Sequence, residues 1–359
     1  MALAAGAFLV TACEEDGPIS VVTNDGPEET GEERGWISLG VATPDGPVHV
    51  LHAWNDEIVV GGRFDAAGGS PAANVAIFDG EVFRSLGDGV DGPVFAAAVY
   101  AGDLVVGGSF ATAGSAPAPN VARWDGSAWH AMDAGLDSTV TAFAVFAGEL
   151  YAAGVFTGDT VSALPRLARF DGVSWSPVTT QAPDGPGLAM SVYDGRLILG
   201  GSFDSTGAFP AYHLACWDGS TLCDPGPEFR ASDDVLALRA EGSGLYVAGR
   251  FTYVGSRSAM RVARWTGAGW SSLGAGLGGP VRALEFLGGA PVAGGAFTRS
   301  GNTSIARVAR FRGGAWEGLD VGVDGQVDAL LVHDGDLYVG GHFAHAGGRL
   351  SSHIARWRD

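Results

Sequence analysis

The chain has 359 residues, of which 46% are hydrophobic, 17% are charged and 58 are glycine. A chain of this length can bury a large core, and glycine without a three-residue period excludes a collagen-like structure and indicates many tight turns. The 40 acids against 21 bases give a net charge of -19, which repels phosphate backbones and argues against nucleic acid as a partner. All the bases are arginine, so Schiff-base lysines and P-loop lysines are excluded.

The N-terminal segment has the features of a targeting signal. Residues 1–12 are an apolar run of small side chains, ending in Val10-Thr11-Ala12-Cys13. This ending resembles the lipobox of bacterial lipoproteins, and the resemblance implies cleavage before Cys13 and lipidation of that cysteine. An ordinary cleaved signal is the alternative. Twelve residues are too few for a transmembrane helix, which takes about 20.

Residues 13–34 have the composition of an acidic linker. Eight residues between 14 and 34 are acidic and only Arg34 is basic, with Gly, Pro and Thr between them. Such a segment stays solvated and extended through self-repulsion. The sequence therefore predicts a signal at 1–12, a disordered linker at 13–34 and a folded domain at 35–359.

The rest of the chain, from residue 35, consists of seven copies of a unit of about 46 residues. A Gly-Gly-x-Phe motif recurs, with alanine replacing the first glycine at Ala153 and Ala248. The motif phenylalanines are Phe64, Phe110, Phe156, Phe203, Phe251, Phe297 and Phe343. An aromatic residue follows each of them 14 positions later, at Phe78, Trp124, Phe170, Trp217, Trp265, Phe311 and Trp357. Constant spacing through seven copies predicts a repeat architecture.

Each copy is predicted to form four short strands. An aliphatic residue opens the copy about sixteen positions before the phenylalanine, at Val48, Val94, Val140, Leu188, Val235, Val281 and Val327. Period-two alternation and Asp-Gly or Gly-Asp turns indicate an antiparallel meander. Four strands per copy are typical of a β-propeller blade, so the predicted fold is an all-β, seven-bladed β-propeller.

Ring closure is predicted from the two ends of the repeat region. The last copy stops near Trp357 without a fourth strand, and residues 35–40 have the pattern of the missing strand. The N-terminal strand is therefore expected to complete the last blade, which leaves no open sheet edges at the seam.

The units Gly-Gly…Ala-Arg-Trp-Asp-Gly-x-x-Trp resemble kelch-type repeats over about residues 36–357. Such repeats form propellers like the central domain of galactose oxidase, and they occur in secreted bacterial lipoproteins and Rax2-type surface proteins. The copper site of galactose oxidase would need two Tyr, two His and a Cys joined to Tyr. Only Tyr212 and Tyr253 lie in corresponding loops, so this activity is not expected.

Carboxylates before the strand openers are a candidate cation site. Asp45, Asp91, Asp137 and Asp324 precede the opener by three residues, and Asp184 and Asp233 lie nearby in two more copies. Seven-fold geometry would gather them at the channel mouth, where oxygen ligands could hold Ca²⁺ or a cationic ligand. Ordinary turn chemistry is the alternative, because Asp-Gly is a common turn pair.

Four histidines form a second candidate site. His49, His342, His345 and His353 fall on the same predicted side of the first and seventh blades, which meet at the seam. Gathered imidazoles can bind a transition metal, and isolated surface histidines are the alternative.

Two cysteines occupy facing positions in the fourth copy. Cys216 and Cys223 flank an Asp218-Gly219 hairpin, which predicts a disulfide in an oxidising compartment. Two free buried thiols are the alternative.

The equal lengths of the predicted loops argue against an elaborate catalytic pocket. We therefore expect an extracytoplasmic, lipid-anchored or secreted monomer that binds or scaffolds a protein or an extracellular glycan, and that meets the membrane only through its lipid. A carbohydrate-active enzyme with a carboxylate pair at the channel mouth is the alternative from another class. A purely structural surface protein is the third hypothesis.

Overall fold

Seven four-stranded antiparallel sheets make up the described part of the chain. The structure, a computed structural model, describes residues 34–39, 43–158, 163–179, 182–224 and 226–359. None of these residues belongs to a helix long and apolar enough to span a membrane. The predicted signal, Cys13 and the linker up to residue 33 lie outside the described residues.

Each blade runs from an innermost strand at the channel to an outermost strand at the rim. The innermost strands are Val48–Trp54, Val94–Tyr100, Val140–Phe146, Gly187–Tyr193, Val235–Glu241, Val281–Leu287 and Gln326–His333. The second strands are Glu57–Gly62, Asp103–Gly108, Glu149–Gly154, Arg196–Gly201, Gly244–Gly249, Ala290–Gly295 and Asp336–His342. The third strands are Val75–Phe78, Val121–Trp124, Leu167–Phe170, Leu214–Trp217, Val262–Trp265, Val308–Arg312 and Ile354–Arg358. The outermost strands are Phe83–Ser85, Trp129–Ala131, Trp175–Pro177, Leu222–Cys223, Trp270–Ser272, Ala315–Gly318 and Gly35–Ile37.

Within the described residues, five of the loops between second and third strands contain a short hairpin of two-residue strands. They pair Ala66–Ala67 with Ser70–Pro71, Thr112–Ala113 with Ala116–Pro117, Tyr253–Val254 with Arg257–Ser258, Arg299–Ser300 with Thr303–Ser304, and His345–Ala346 with Arg349–Leu350. We call the side of the ring that carries these loops the upper face.

The ring closes as the sequence predicts. Each innermost strand packs against the next, and the seventh packs against the first. Strand Gly35–Ile37 pairs with Ile354–Arg358, placing Trp36 opposite Trp357. The chain is thus a seven-bladed β-propeller whose last blade is completed by the N-terminal strand.

The two glycines of the repeated motif serve two different contacts. A Cβ on the second glycine, such as Gly62, would overlap the carbonyl oxygen of the residue before the innermost strand, here Pro47. A Cβ on the first glycine, such as Gly61, would lie 2.8 Å from Val94 Cγ1 of the next blade. One glycine therefore brings two strands of a blade together, and the other brings neighbouring blades together.

One strand opener differs from its sequence assignment. Gly187 pairs with Gly201, as Val48 pairs with Gly62, so Gly187 and not Leu188 opens the fourth innermost strand. The small residue fits because its neighbour in the third blade is Ala153, which replaces a glycine. Leu188 therefore lies one position further along, where the side chain faces the channel.

Tryptophans on the outermost strands of five blades link each of these blades to the preceding one. Trp129 Nε1 donates to Leu86 O at 2.7 Å, and Trp36 Nε1 donates to Leu319 O at 2.8 Å. Equivalent bonds come from Trp175, Trp270 and Trp316. These buried donors satisfy their hydrogen bonds across blade boundaries, so they fix blade spacing as well as fill the core.

The predicted disulfide is confirmed. Cys216 and Cys223 face each other on the third and outermost strands of the fourth blade, and their sulfurs are bonded. The Cα atoms are 5.1 Å apart, a separation that a disulfide accommodates.

Candidate functional site

The predicted ring of carboxylates fastens loops of the upper face. Asp45 Oδ1 accepts hydrogen bonds from the backbone N–H groups of Asp65 and Ala66, at 2.9 and 3.0 Å. The same two bonds, 20 and 21 residues along the chain, are made by Asp91, Asp184 and Asp324, and Asp137 makes the first of them. Each carboxylate thus joins the connection between two blades to a loop of the following blade. Calcium binding at these residues stays a prediction.

In the fifth blade, a serine makes the equivalent pair of hydrogen bonds. Ser232 Oγ accepts from the N–H groups of Thr252 and Tyr253, both at 3.1 Å. Asp233 instead accepts from the N–H of Asp234, one position along the chain. Asp233 is therefore not equivalent to the other predicted carboxylates.

Hydrogen bonding favours the ionised form of Asp91, Asp137 and Asp324. Partial burial opposes ionisation of Asp91, but the N–H donors of Thr112 and Ala111 outweigh it and hold the pKa below its usual value. The pKa values of Asp137 and Asp324 are lowered by the same balance.

A β-bulge in every innermost strand aims one side chain at the channel. Pairing with the second strand skips one residue just after the opener in all seven blades. The skipped residues are His49, Phe95, Thr141, Leu188, Leu236, Arg282 and Asp328. Bulges of this kind redirect a side chain without ending the ladder.

Six of these seven residues, with Gln326 and His342, line a cavity of about 440 Å³ at the upper end of the channel. We call this cavity the channel mouth. Its polar residues come from the sixth, seventh and first blades, which are neighbours, whereas its apolar wall consists of Phe95, Leu188 and Leu236 from the second, fourth and fifth blades. The site is therefore amphipathic although the fold is nearly symmetric.

Two histidines and one carboxylate meet in the channel mouth. Asp328 Oδ2 lies 3.3 Å from His49 Nδ1 and 3.1 Å from His342 Nε2. The three potential ligand atoms all lie within 4.8 Å of one another. His49 and Asp328 are largely buried, while the side chain of His342 is 46% exposed.

Neighbouring side chains hold this cluster in position. Gln326 Nε2 donates to Asp328 Oδ1 at 2.7 Å, and Arg282 Nε lies 3.7 Å from the same oxygen. The ring of Phe95 stacks at a tilt on His49, with 5.1 Å between centroids. Burial lowers the pKa of His342 and outweighs the opposite effect of the Asp328 carboxylate, so the neutral imidazole is favoured.

The other two predicted histidines do not join the cluster. His345 Nδ1 lies 2.7 Å from Asp324 Oδ2 on the upper face. His353 has a φ of 64° just before a third strand, and its Nδ1 lies 3.2 Å from Gly341 O. The structure therefore brings together two of the four predicted histidines.

Sequence analysis missed Asp328, Arg282 and Gln326. The first two occupy the bulged position, and the signal was available in the repeat itself. Six copies carry an apolar opener, and the next residue varies from Asp and Arg to Phe and Leu. Such variability at a fixed place in an otherwise regular repeat indicates that the side chain at this position is not required for packing of the blades.

A second group of charges lies further along the innermost strands. Arg239 Nη2 pairs with Glu285 Oε1 at 2.8 Å, and the carboxyl side chain is only 6% exposed. Burial raises the pKa of Glu285, with Arg239 opposing the shift. Burial, and to a smaller extent the charge of Arg239, lowers the pKa of His52.

Acidification should destabilise the protein through His52. Because the folded state disfavours the protonated imidazole, the unfolded chain takes up the proton first as the pH falls below about 6.5, and stability falls with it. Each pH unit between the pKa of His52 in the unfolded chain and its pKa in the folded protein corresponds to about 1.4 kcal/mol of unfolding free energy. Urea unfolding of the protein and of His52→Gln at pH 8 and pH 5.5 should show the smaller acid loss in the variant. An equal loss in both would contradict the assignment.

Comparisons with known proteins support the fold and name no family. No protein-family model and no curated protein matches this chain. The computationally designed protein Ika8 has a TM-score of 0.54 at 16% identity, over 91% of this chain and 100% of the other. The WD40 β-propeller domain of Doa1 has a TM-score of 0.56 at 12% identity, over 90% and 96%.

A third similar structure is the extracellular domain of BT4673 from B. thetaiotaomicron. Its TM-score is 0.59 at 10% identity, and the match covers 90% of this chain but 40% of the other. At these identities the comparisons establish the propeller fold. The kelch-type character of the repeats stays a prediction from the motif.

Proposed function

We propose that this protein is an extracytoplasmic binding module whose channel mouth takes the end of an extracellular glycan. The amphipathic cavity carries the proposal. Its volume lies in the range of small-ligand sites, about 300–1,000 Å³. Polar side chains on one side can bind hydroxyl or carboxyl groups of a sugar, while the wall of Phe95, Leu188 and Leu236 can pack against the apolar face of the ring.

Two observations support an extracytoplasmic location, one from the disulfide and one from a similar structure. The Cys216–Cys223 disulfide favours an oxidising compartment. The similar structure of BT4673 is that of an extracellular domain. Lipidation of Cys13 would tether the propeller to a bacterial membrane, with the acidic segment as a spacer.

The geometry favours binding over hydrolysis. Glycoside hydrolysis uses two carboxyl groups about 5 to 10 Å apart. Among the described residues that line the channel mouth, Asp328 is the one carboxylate. The predicted carboxylate ring is instead engaged with backbone N–H groups, so an acid–base pair is not assembled at the cavity.

A protein partner is the second candidate, and it is favoured by a different surface. Tyr212 and Tyr253 are 44% and 51% exposed on upper loops of the neighbouring fourth and fifth blades, and Met260 lies exposed nearby. Exposed aromatic residues and methionine are enriched at protein interfaces. This rim lies outside the cavity, so the two candidates predict different sensitive residues.

Binding of the full-length protein to an array of neutral and carboxylated oligosaccharides tests the proposal. Arg282→Ala should weaken binding of a carboxylated sugar about tenfold to a hundredfold, because a hydrogen bond to a charged group is lost. Leu236→Trp should block the cavity. Tyr253→Ala on the rim is the matched control and should leave binding unchanged. Binding that depends on Tyr253 and not on Arg282 or Leu236 would move the site to the rim.

A further inference from the structure

We propose that His49, Asp328 and His342 form a binding site for one divalent transition-metal ion of the Zn²⁺ class. The inference rests on the proposed function for its role, since the ion would help hold a ligand in the channel mouth. Binding of the ion itself can be measured without that ligand.

The spacing of the three donor atoms fits tetrahedral coordination. With metal–ligand bonds of about 2.0–2.1 Å, two ligands of a tetrahedral ion lie about 3.3–3.4 Å apart. Asp328 Oδ2 is 3.3 Å from His49 Nδ1 and 3.1 Å from His342 Nε2. Both distances lie within about 0.3 Å of this spacing, and the third pair, His49 Nδ1 and His342 Nε2, lies within 4.8 Å.

The donor set selects the class of ion. Two imidazole nitrogens and one carboxylate oxygen suit Zn²⁺ and other transition metals, whereas Ca²⁺ and Mg²⁺ prefer oxygen ligands alone.

The surroundings are those of a supported metal site. Gln326 holds Asp328 Oδ1 at 2.7 Å, leaving Oδ2 directed at both imidazoles. Partners that orient a ligating carboxylate commonly tune metal affinity. Phe95 restricts the ring of His49 by stacking.

The fourth coordination position would open onto the cavity. Three protein ligands leave one position for water or for an outside donor. Arg282 lines the same cavity, with its Nε 3.7 Å from Asp328 Oδ1, and its charge would favour an anionic donor such as a sugar carboxylate. The ion and the guanidinium would then bind one ligand together.

Calorimetric titration of ZnCl₂ into tag-free, chelator-stripped full-length protein tests this inference. We expect one ion per chain. Gln326→Ala should weaken binding about 10- to 100-fold, and His342→Ala, at a half-exposed position, should weaken it more. His345→Ala is the matched control, because it removes a similar His–Asp pair on the same face and should leave zinc affinity unchanged.

Two results would overturn the site. One is the absence of zinc binding, which would mean that Asp328 bridges the two imidazoles by hydrogen bonds alone. The other is binding that persists in both His342→Ala and Asp328→Asn, after circular dichroism has shown that both variants are folded.

The oligosaccharide array separates this inference from the proposed function. Zinc binding without saccharide binding would support the metal site and reject the glycan ligand. Saccharide binding that is unaffected by chelator, in a protein that takes up no zinc, would support the glycan ligand and reject the metal site.

Discussion

Replacing Trp36 with alanine is expected to lower the free energy of unfolding by about 3–5 kcal/mol, as for other buried tryptophans. The side chain is only 5% exposed, and its ring packs edge-on against Trp357 with 5.4 Å between centroids. Its N–H bond to Leu319 O also links the seventh blade to the sixth. The loss should appear as a lower urea midpoint with an unchanged slope.

The conservative variant separates packing from hydrogen bonding. Trp36→Phe keeps most of the apolar volume and loses the N–H donor, so it should cost less than the alanine variant while leaving Leu319 O without this donor. If Trp36→Ala changed stability by less than about 0.5 kcal/mol, as surface substitutions do, the N-terminal strand would not belong to the cooperative fold.

Replacing Gly108 with alanine is expected to cost about 3 kcal/mol. The new Cβ would overlap the backbone carbonyl of Pro93, which immediately precedes the innermost strand of the same blade. The backbone atoms of two paired strands cannot move apart to make room without breaking the hydrogen bonds between the strands. Thermal or urea unfolding of the purified variant measures the loss.

Gly107→Ala, one residue earlier, is the matched control. Its Cβ would lie 2.7 Å from the Phe143 ring and from Val140 Cγ1, which are side-chain atoms of the next blade and can move. Ala153 and Ala248 already occupy the equivalent position in two blades. We expect a loss of about 1 kcal/mol. Equal losses in both variants would refute the distinction between the two glycines.

The fold was predictable because its constraints recur. A single Gly-Gly-x-Phe match would carry little information, whereas seven at nearly constant spacing define blade number, strand order and the strand that closes the ring. Cys216 and Cys223 were predictable for a related reason, since they replace residues at facing positions of a known hairpin. The fourth opener was misassigned because Gly187 is small, and its compensation by Ala153 lies in another blade.

The channel mouth was only partly predictable. His49 and His342 were identified as candidates, but Asp328 follows an opener and looked like part of an alternating strand. Its orientation depends on a bulge that arises from strand pairing, and the trace of this bulge in the sequence is the variability of the residue after each opener. Asp45 and its equivalents were conspicuous in sequence because five blades use a carboxylate at this position to accept hydrogen bonds from backbone N–H groups of a loop.

The bulged residue of each innermost strand separates recognition from folding. It stands outside the pairing register, so its side chain can change from Asp to Leu or Phe without shifting any neighbour in the ladder. The ring thus offers six such positions around one opening. Rewriting them should alter what the protein binds while its unfolding midpoint stays nearly constant, which makes this propeller a suitable scaffold for engineered specificity.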